Sequence, residues 1–223
     1  LKPYPQYGGL TQSNTAGILE HYHALQMRVQ RQFSKGYSML VSYNYNREAT
    51  QTFFNDIDRY AEKWTFLGSN QARHRLVGSG TYDLPFGKGR PWLADAHPVM
   101  NAVLGGWSTS SIVIIGSGAF LRFGGVVENG APGVYRKRDK WFDTSKFAVL
   151  PAYTIRTNPY QYEGVTGPRN WNLDTTLSKF FSLNERFRLE FRMEAYNLAN
   201  VFVPTGPSTD PNSATFARCT NQS

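Results

Sequence analysis

The stretch that decides the fold is residues 187–195, which read Phe187-Arg188-Leu189-Glu190-Phe191-Arg192-Met193-Glu194-Ala195. Apolar and charged residues alternate without a break, and this period of two predicts a β-strand. Because successive side chains of a strand point to opposite sides, the strand has one apolar and one charged face. A similar alternation precedes it, so the two arms predict a hairpin from Trp171 to Asn197.

The expected register of this hairpin pairs Ser182 with Arg186. Leu177 then lies opposite Phe191 and Leu173 opposite Ala195, while Asp174 lies diagonal to Arg192, within reach of long side chains. Such a strand pair fits two environments. In water, the apolar face packs on a core, whereas in a membrane β-barrel it meets lipid and the charged face lines a wet lumen.

Composition favours β structure and argues against several function classes. Aromatic residues make up 15% of the 223 residues, beside 20 glycines, which suits strands better than helices. The net charge of +8 is scattered, and the one dense basic run, Arg136-Lys137-Arg138, is interpreted as a solvated loop, so no nucleic-acid partner is expected. The single cysteine, Cys219, excludes an intrachain disulfide and a cysteine-based metal site.

A second hairpin is predicted near the start of the chain. Leu25, Met27 and Val29 alternate with polar residues, and after Ser34-Lys35-Gly36 the apolar positions resume. A three-residue loop ending in glycine is a common hairpin connection. It places Phe33 opposite Tyr37 and gives the pairs Val29–Val41, Met27–Tyr43 and Leu25–Tyr45.

Two further strands are expected near Arg73–Leu84 and Gly106–Gly118, with a short helix inside residues 91–105. Residues 47–71 and 119–169 are interpreted as long loops, and the chain after Asn200 as Pro-rich coil. Short turns then lie at one end of an antiparallel meander and long loops at the other, as in outer-membrane barrels. A strand of about ten residues, tilted by ~45°, spans roughly 23 Å, close to the apolar band of such barrels.

The predicted fold is therefore all-β, an up-and-down meander of about six long strands forming a partial, unclosed transmembrane β-barrel. Six strands are too few to close a membrane barrel, for which ~8 is the minimum, so further strands are expected beyond this segment. Lys179 is the exception on the predicted lipid face. It falls near the short turns, where its ammonium is expected to reach the headgroups.

Several segments, in their order along the chain, resemble the C-terminal barrel part of TonB-dependent outer-membrane receptors of the Oar-like group. They are Tyr22-His23-Ala24-Leu25-Gln26, Arg73-His74-Arg75, Leu84-Pro85-Phe86-Gly87-Lys88-Gly89, Gly105-Gly106-Trp107, Phe142-Asp143-Thr144-Ser145-Lys146-Phe147-Ala148, Gly167 to Asp174, and Phe187 to Asn200. The resemblance implies that residues 1–223 are the C-terminal segment of a barrel, with the plug domain and the closing strand absent.

The resemblance also implies a function and partners. A barrel of this family sits in the outer membrane of a Gram-negative-type bacterium and takes up a bulky solute, such as a siderophore or carbohydrate. Its partners are outer-membrane lipid, the solute, and TonB acting through the absent N-terminal plug. We expect a monomer with no cofactor and no enzymatic activity. Whether such a barrel transports, adheres or signals stays open at this point.

The alternation assigns candidate residues to the two sides of the wall. Candidate lumen-facing residues are Arg28, Asp174, Arg188, Glu190, Arg192 and Glu194. Candidate lipid-facing residues are Leu25, Met27, Val29, Val41, Leu173, Leu177, Phe187, Leu189, Phe191 and Met193. Two interpretations of the alternating Arg and Glu residues remain open, a path for the solute and a self-neutralising ladder within the wall.

Other patterns carry little chemistry. His21 and His23 have a spacing that can share zinc but lack an apparent third ligand. Asp56, Asp58 and Glu62 have no EF-hand spacing for calcium. Gly87-Lys88-Gly89 lacks the context of a nucleotide-binding loop, and no nucleophile motif occurs. The rival hypothesis is a soluble β-sandwich, a carbohydrate-binding or adhesion module whose Tyr and Trp stack on sugars; an outer-membrane enzyme is disfavoured.

Overall fold

The chain is seen in a computed structural model that describes residues 19–53, 62–65, 72–124, 126–128, 130, 132–152, 154, 158, 160–182 and 186–220. Its strands are β1 (Leu19–Ser34), β2 (Tyr37–Phe53), β3 (Glu62–Thr65), β4 (His74–Asp83), β5 (Trp107–Gly116), β6 (Val126–Glu128), β7 (Phe147–Val149), β8 (Asn170–Ser182) and β9 (Arg188–Ala195). One α-helix, α1, spans Pro98–Leu104, and a 3-10 turn spans Thr144–Lys146.

The six long strands form one antiparallel sheet in the order β1-β2-β4-β5-β8-β9, and β3 pairs with the far end of β2. This arrangement confirms the predicted all-β meander of six long strands that does not close. Within the described residues, β1 and β9 each pair with one neighbour and so form the two edges. The rival β-sandwich was wrong, because the long strands make one sheet instead of two packed sheets.

The first hairpin confirms the predicted pairs Leu25–Tyr45, Met27–Tyr43 and Val29–Val41. Its turn differs, because Ser34 and not Phe33 lies opposite Tyr37. Lys35 (φ 54°) and Gly36 (φ 87°) both adopt left-handed conformations, which makes a two-residue turn. A register shift between Arg31 and Ser34 accommodates the extra residue.

The second hairpin forms as predicted, but its register was wrong. Ser182 pairs with Arg188, and Leu177 lies opposite Met193 where Phe191 was expected, a shift of two residues. The connection runs from residue 183 to 187, which is longer than the three-residue loop assumed. Because the shift is even, every side chain keeps its predicted face.

The predicted loop 47–71 is partly strand. β2 continues to Phe53 because its outer half stays paired with β1, down to Leu19 opposite Gln51, and β3 adds a short strand beside it. The predicted helix within 91–105 is confirmed as α1. Pro98 occupies its first turn, the side chain of His97 accepts a hydrogen bond from the amide of Val99, and the helix ends at Gly105.

A compact aromatic core lies in the long loops. Its buried residues are Leu121, Phe123, Val126, Trp141, Phe142, Phe147, Tyr162, Val165, Ala217 and Cys219. Phe123 stacks on Phe147 with ring centroids 4.8 Å apart. Residues 201–220 form no helix or strand, as expected for Pro-rich coil, and the amide of Trp141 donates to the carbonyl of Ala217 at 2.8 Å, which ties this segment to the core.

Candidate functional site

Cross-strand rows divide the sheet into two faces, here called the apolar face and the polar face. One row of the apolar face runs Met27, Tyr43, Leu76, Ile115, Trp171, and the next runs Val29, Val41, Gly78, Val113, Leu173. The polar face includes a row of Gln26, Asn44, Arg75, Gly116 and Asn170. The period-two pattern of the sequence is thus kept in register from edge to edge.

The structure brings the candidate lipid-facing residues together on the apolar face, with one exception. Phe187 lies just before β9 and is exposed, outside the paired strand. The side chains of Met27 and Val29 keep 55% and 56% of their accessible surface, and Met193 keeps 55%. Apart from α1, which covers Lys179, no described part of the chain covers this face, so it presents a wide apolar surface of the kind that marks an interaction site.

The candidate lumen-facing residues share the polar face, and three of them, Glu190, Arg192 and Glu194, form ion pairs within β9. Arg192 Nη2 lies 2.9 Å from Glu190 Oε1, and Arg192 Nη1 lies 3.8 Å from Glu194 Oε1. Arg188 stacks over the Phe180 ring at 4.5 Å, and Arg28 donates to the Gln30 side chain at 2.8 Å. These contacts are those expected of a self-neutralising ladder along the wall.

Asp174 was predicted to lie diagonal to Arg192, but Arg192 lies opposite Ser178. Asp174 instead binds the backbone where the chain leaves β9. Its Oδ1 accepts a hydrogen bond from the Asn197 amide at 2.8 Å and another from Asn172 Nδ2 at 2.8 Å. Asn197 has a left-handed backbone (φ 48°), and its side chain bonds both the amide and the carbonyl of Val201. Asp174 therefore fixes the exit of β9 towards the C-terminal segment.

Hydrogen bonds between hydroxyl side chains join β5 and β8. Ser108 and Ser178 lie 3.0 Å apart, and Ser111 and Thr175 lie 3.1 Å apart, each pair crossing from β5 to β8. Ser111 and Thr175 belong to the apolar face, where an unpaired hydroxyl would be costly in contact with hydrocarbon. Their mutual bond removes that cost.

An arginine-rich pocket of about 390 Å³ lies where the sheet meets the long loops. Arg73, Arg136 and Arg169 line it together with Phe120 and the aromatic and polar residues His74, Trp141 and Thr166. Arg73 contacts Glu163 at 3.5 Å and stacks over Phe120 at 4.6 Å. No ion pair joins Arg136 or Arg169 to a described acidic side chain. Guanidinium groups in this setting can hold a phosphate or carboxylate.

The pocket is placed by a close approach of two backbone segments. A Cβ on Gly118 would lie 1.9 Å from the carbonyl oxygen of Gly167, so only glycine fits there. His74 and Arg169 also line a shallow pocket with Tyr43, Leu76 and Ile115 of the apolar face. The arginine-rich pocket thus opens at the rim of the apolar face, a location that strand alternation alone did not predict.

Lys179 lies on the apolar face and is almost fully buried, with 3% of its surface exposed. Its Nζ donates to the carbonyl oxygens of Ala102 at 2.6 Å and Val103 at 3.1 Å, in the last turn of α1. The Trp107 and Phe181 rings lie 5.4 and 5.0 Å from the ammonium. The expected reach to lipid headgroups was wrong, because the helix supplies the partners.

Two groups in the loops have shifted pKa values. Burial raises the pKa of the Cys219 thiol, although Arg138 nearby acts in the opposite direction. Hydrogen bonds from the Ser145 side chain and amide lower the pKa of Asp143.

The described residues contain no group of three or more His, Cys, Asp or Glu side chains able to hold a metal ion. His21 and His23 lie opposite Ala49 and Arg47 on β2. Asp56 and Asp58 of the calcium hypothesis lie outside the described residues, as does the side chain of Glu62. In the part of the chain that is described, no helix is both long and apolar enough to cross a membrane.

A single sheet with one apolar and one charged face, short turns at one end and long loops at the other, defines an outer-membrane β-barrel protein. The chain belongs to the outer membrane beta barrel domain family, which matches residues 1–223. The protein therefore resides in the outer membrane of a Gram-negative bacterium. Comparisons with curated proteins and with solved structures find no match.

Proposed function

We propose that this chain forms part of the barrel wall of a TonB-dependent transporter of the Oar-like group, which takes up a bulky solute such as a siderophore or carbohydrate. The observation that carries the proposal is the cross-strand register, which gives the six long strands one mainly apolar face and one face with most of their charged side chains, although Ile112 and Ile114 also lie on the polar face. In a lipid bilayer the apolar face meets hydrocarbon and the polar face lines a wet interior. The segments that resemble Oar-like receptors support the finer assignment.

The polar face suits the passage of a large polar solute. Its charges are paired along β9, as in the Arg192–Glu190 contact, so the wall attracts water without a strong charge of one sign. The long loops at the opposite end from the short turns carry their own aromatic core. Such a core can hold loops in one shape, which helps a receptor to present a defined surface to a solute outside the cell.

The proposal includes the partners of the barrel. Lipid covers the apolar face, the protein acts as a monomer, and TonB supplies energy through a plug domain encoded N-terminal to this segment. The chain binds no nucleic acid and performs no catalysis. Transport is preferred over adhesion or signalling because the wall carries most of its charged side chains on one face, a feature that adhesion does not require.

Binding of TonB tests the proposal directly. The intact receptor, purified in detergent, is titrated with the periplasmic domain of TonB in a calorimeter. We expect saturable binding of one TonB domain, and a receptor lacking the residues N-terminal to the barrel serves as the matched control without binding. If the intact receptor gives no heat of binding, the assignment to TonB-dependent transport is wrong, whereas the barrel fold stands.

A further inference from the structure

Helix α1 exposes an apolar surface that no described residue covers. Among Pro98–Leu104, Asn101 is the one polar side chain, and the helix contains no charge. Val99 and Val103 are 66% and 61% exposed, and none of the seven residues is buried. Nearby Trp92 is 59% exposed. In water α1 would expose four apolar side chains, those of Val99, Met100, Val103 and Leu104.

The helix is fixed to the outside of the wall by specific bonds. Lys179 Nζ binds the carbonyls of Ala102 and Val103, and Trp107 Nε1 donates to the Val103 carbonyl at 2.9 Å. Lys179 and Trp107 lie opposite each other on the apolar face. On the other side of α1, Asn101 Oδ1 accepts a hydrogen bond from the Lys88 amide at 2.7 Å. The helix therefore keeps one orientation relative to the sheet.

These hydrogen bonds give partners to the C-terminal carbonyls of α1, which would be costly to place near lipid without them. The last carbonyls of a helix have no partner within it and carry partial negative charge. Lys179 and Trp107 bind carbonyls at this end. The ammonium is covered by Trp107 and Phe181, and Phe191 packs edge-on against Trp107 with ring centroids 5.9 Å apart. The ammonium is therefore hydrogen-bonded to the helix end and covered by aromatic rings.

We infer that α1 lies in the periplasmic leaflet of the outer membrane, at the boundary between phospholipid headgroups and acyl chains, with Lys179 and Trp107 holding it against the wall. The occupant of its apolar surface is lipid, because this surface continues the apolar face of the sheet through Trp107 and Phe191. Short turns lie on the periplasmic side of such barrels. Apolar helical surface and exposed tryptophan both favour the interface. This inference rests on the proposed lipid contact of the apolar face.

Fluorescence quenching tests the position of the helix. In the intact protein with Cys219→Ser, a single cysteine is introduced by Val103→Cys and labelled with the environment-sensitive dye NBD, and the protein is placed in phospholipid vesicles. We expect loss of emission with lipids brominated near the glycerol end of the chains and little loss with aqueous iodide. Strong iodide quenching without quenching by brominated lipid would overturn the inference.

A dye at Val29, within the apolar face of the sheet, separates the two proposals. Quenching at Val29 by lipid brominated in mid-chain, with no quenching at Val103 by either brominated lipid, refutes the helix position alone, whereas no lipid quenching at either position refutes the lipid contact of the sheet as well. The role of Lys179 is tested by adding Lys179→Ala to the Val103 label. We expect the dye to become more accessible to iodide, and unchanged quenching would refute the part assigned to Lys179. Retained heat-modifiable mobility on gels verifies that each variant has folded.

Discussion

At the scale of single residues, the position of a charge on one face or the other decides whether it is tolerated. Lys179 is accepted on the apolar face because two helix carbonyls and two aromatic rings surround its ammonium. Leu177, two residues earlier on the same face, lies between Thr109 and Met193, and neither offers a comparable anionic or carbonyl cage. An uncompensated charge there would face hydrocarbon.

Two adjacent positions provide a matched pair for this point. Leu177→Arg is expected to reduce insertion, since a cation on the lipid side costs up to ~2–4 kcal/mol, a cost that is largest at the midplane and falls towards the interface. Thr176→Arg, at nearly the same depth on the polar face beside Glu194, is expected to insert almost normally. The measurement is the fraction of protein folded into vesicles, read by heat-modifiable mobility. Equal losses for both variants would contradict the assignment of the faces.

At the scale of elements, the long loops are held by close backbone contact as well as by their aromatic core. Gly118 follows β5, Gly167 precedes β8, and the Gly167 amide donates to the Ala119 carbonyl at 2.8 Å. This contact brings Arg73 and Arg169 to the same pocket. The packing of the long loops therefore depends on glycine at position 118.

Gly118→Ala is expected to disrupt the loop core, because the new Cβ would lie 1.9 Å from the Gly167 carbonyl oxygen. The backbone at Gly167 can move away only at a high energetic cost. Gly124→Ala is the control, since a Cβ there meets nothing within 4 Å. Limited proteolysis of the folded protein measures the outcome. Cleavage within 119–169 should increase for Gly118→Ala and stay unchanged for Gly124→Ala. Equal resistance of the two variants would show that the contact is dispensable.

The same elements show how far sequence reasoning reaches. The faces of the β8–β9 hairpin were predictable because a period of two survives an even register shift, whereas the register depended on the connection 183–187, which has no turn signal of defined length. The core around Phe123 and Phe142 was missed because buried loop residues follow no period. The partners of Lys179 were also missed, since they are backbone carbonyls 76 and 77 residues away.

At the scale of the whole molecule, the two ends of the sheet must lie on opposite sides of the membrane. The Lys35-Gly36 turn and the connection 84–106, which contains α1, lie at one end, and the aromatic loop core with the C-terminal segment lies at the other. Outer-membrane barrels place short turns in the periplasm and long loops outside. Lys88 is exposed at the first end and Asn212 at the second, so each can report the side on which it lies.

Labelling of intact cells tests this orientation. With Cys219→Ser as background, Asn212→Cys is expected to react with a membrane-impermeant maleimide added outside, because the long loops face the medium. Lys88→Cys is expected to react only after the outer membrane is permeabilised, because the connection 84–106 lies at the same end of the sheet as the Lys35-Gly36 turn, on the periplasmic side. The ratio of labelling before and after permeabilisation is the measured quantity. Labelling of Lys88→Cys on intact cells, with Asn212→Cys protected, would reverse the orientation and would also move α1 to the outer leaflet.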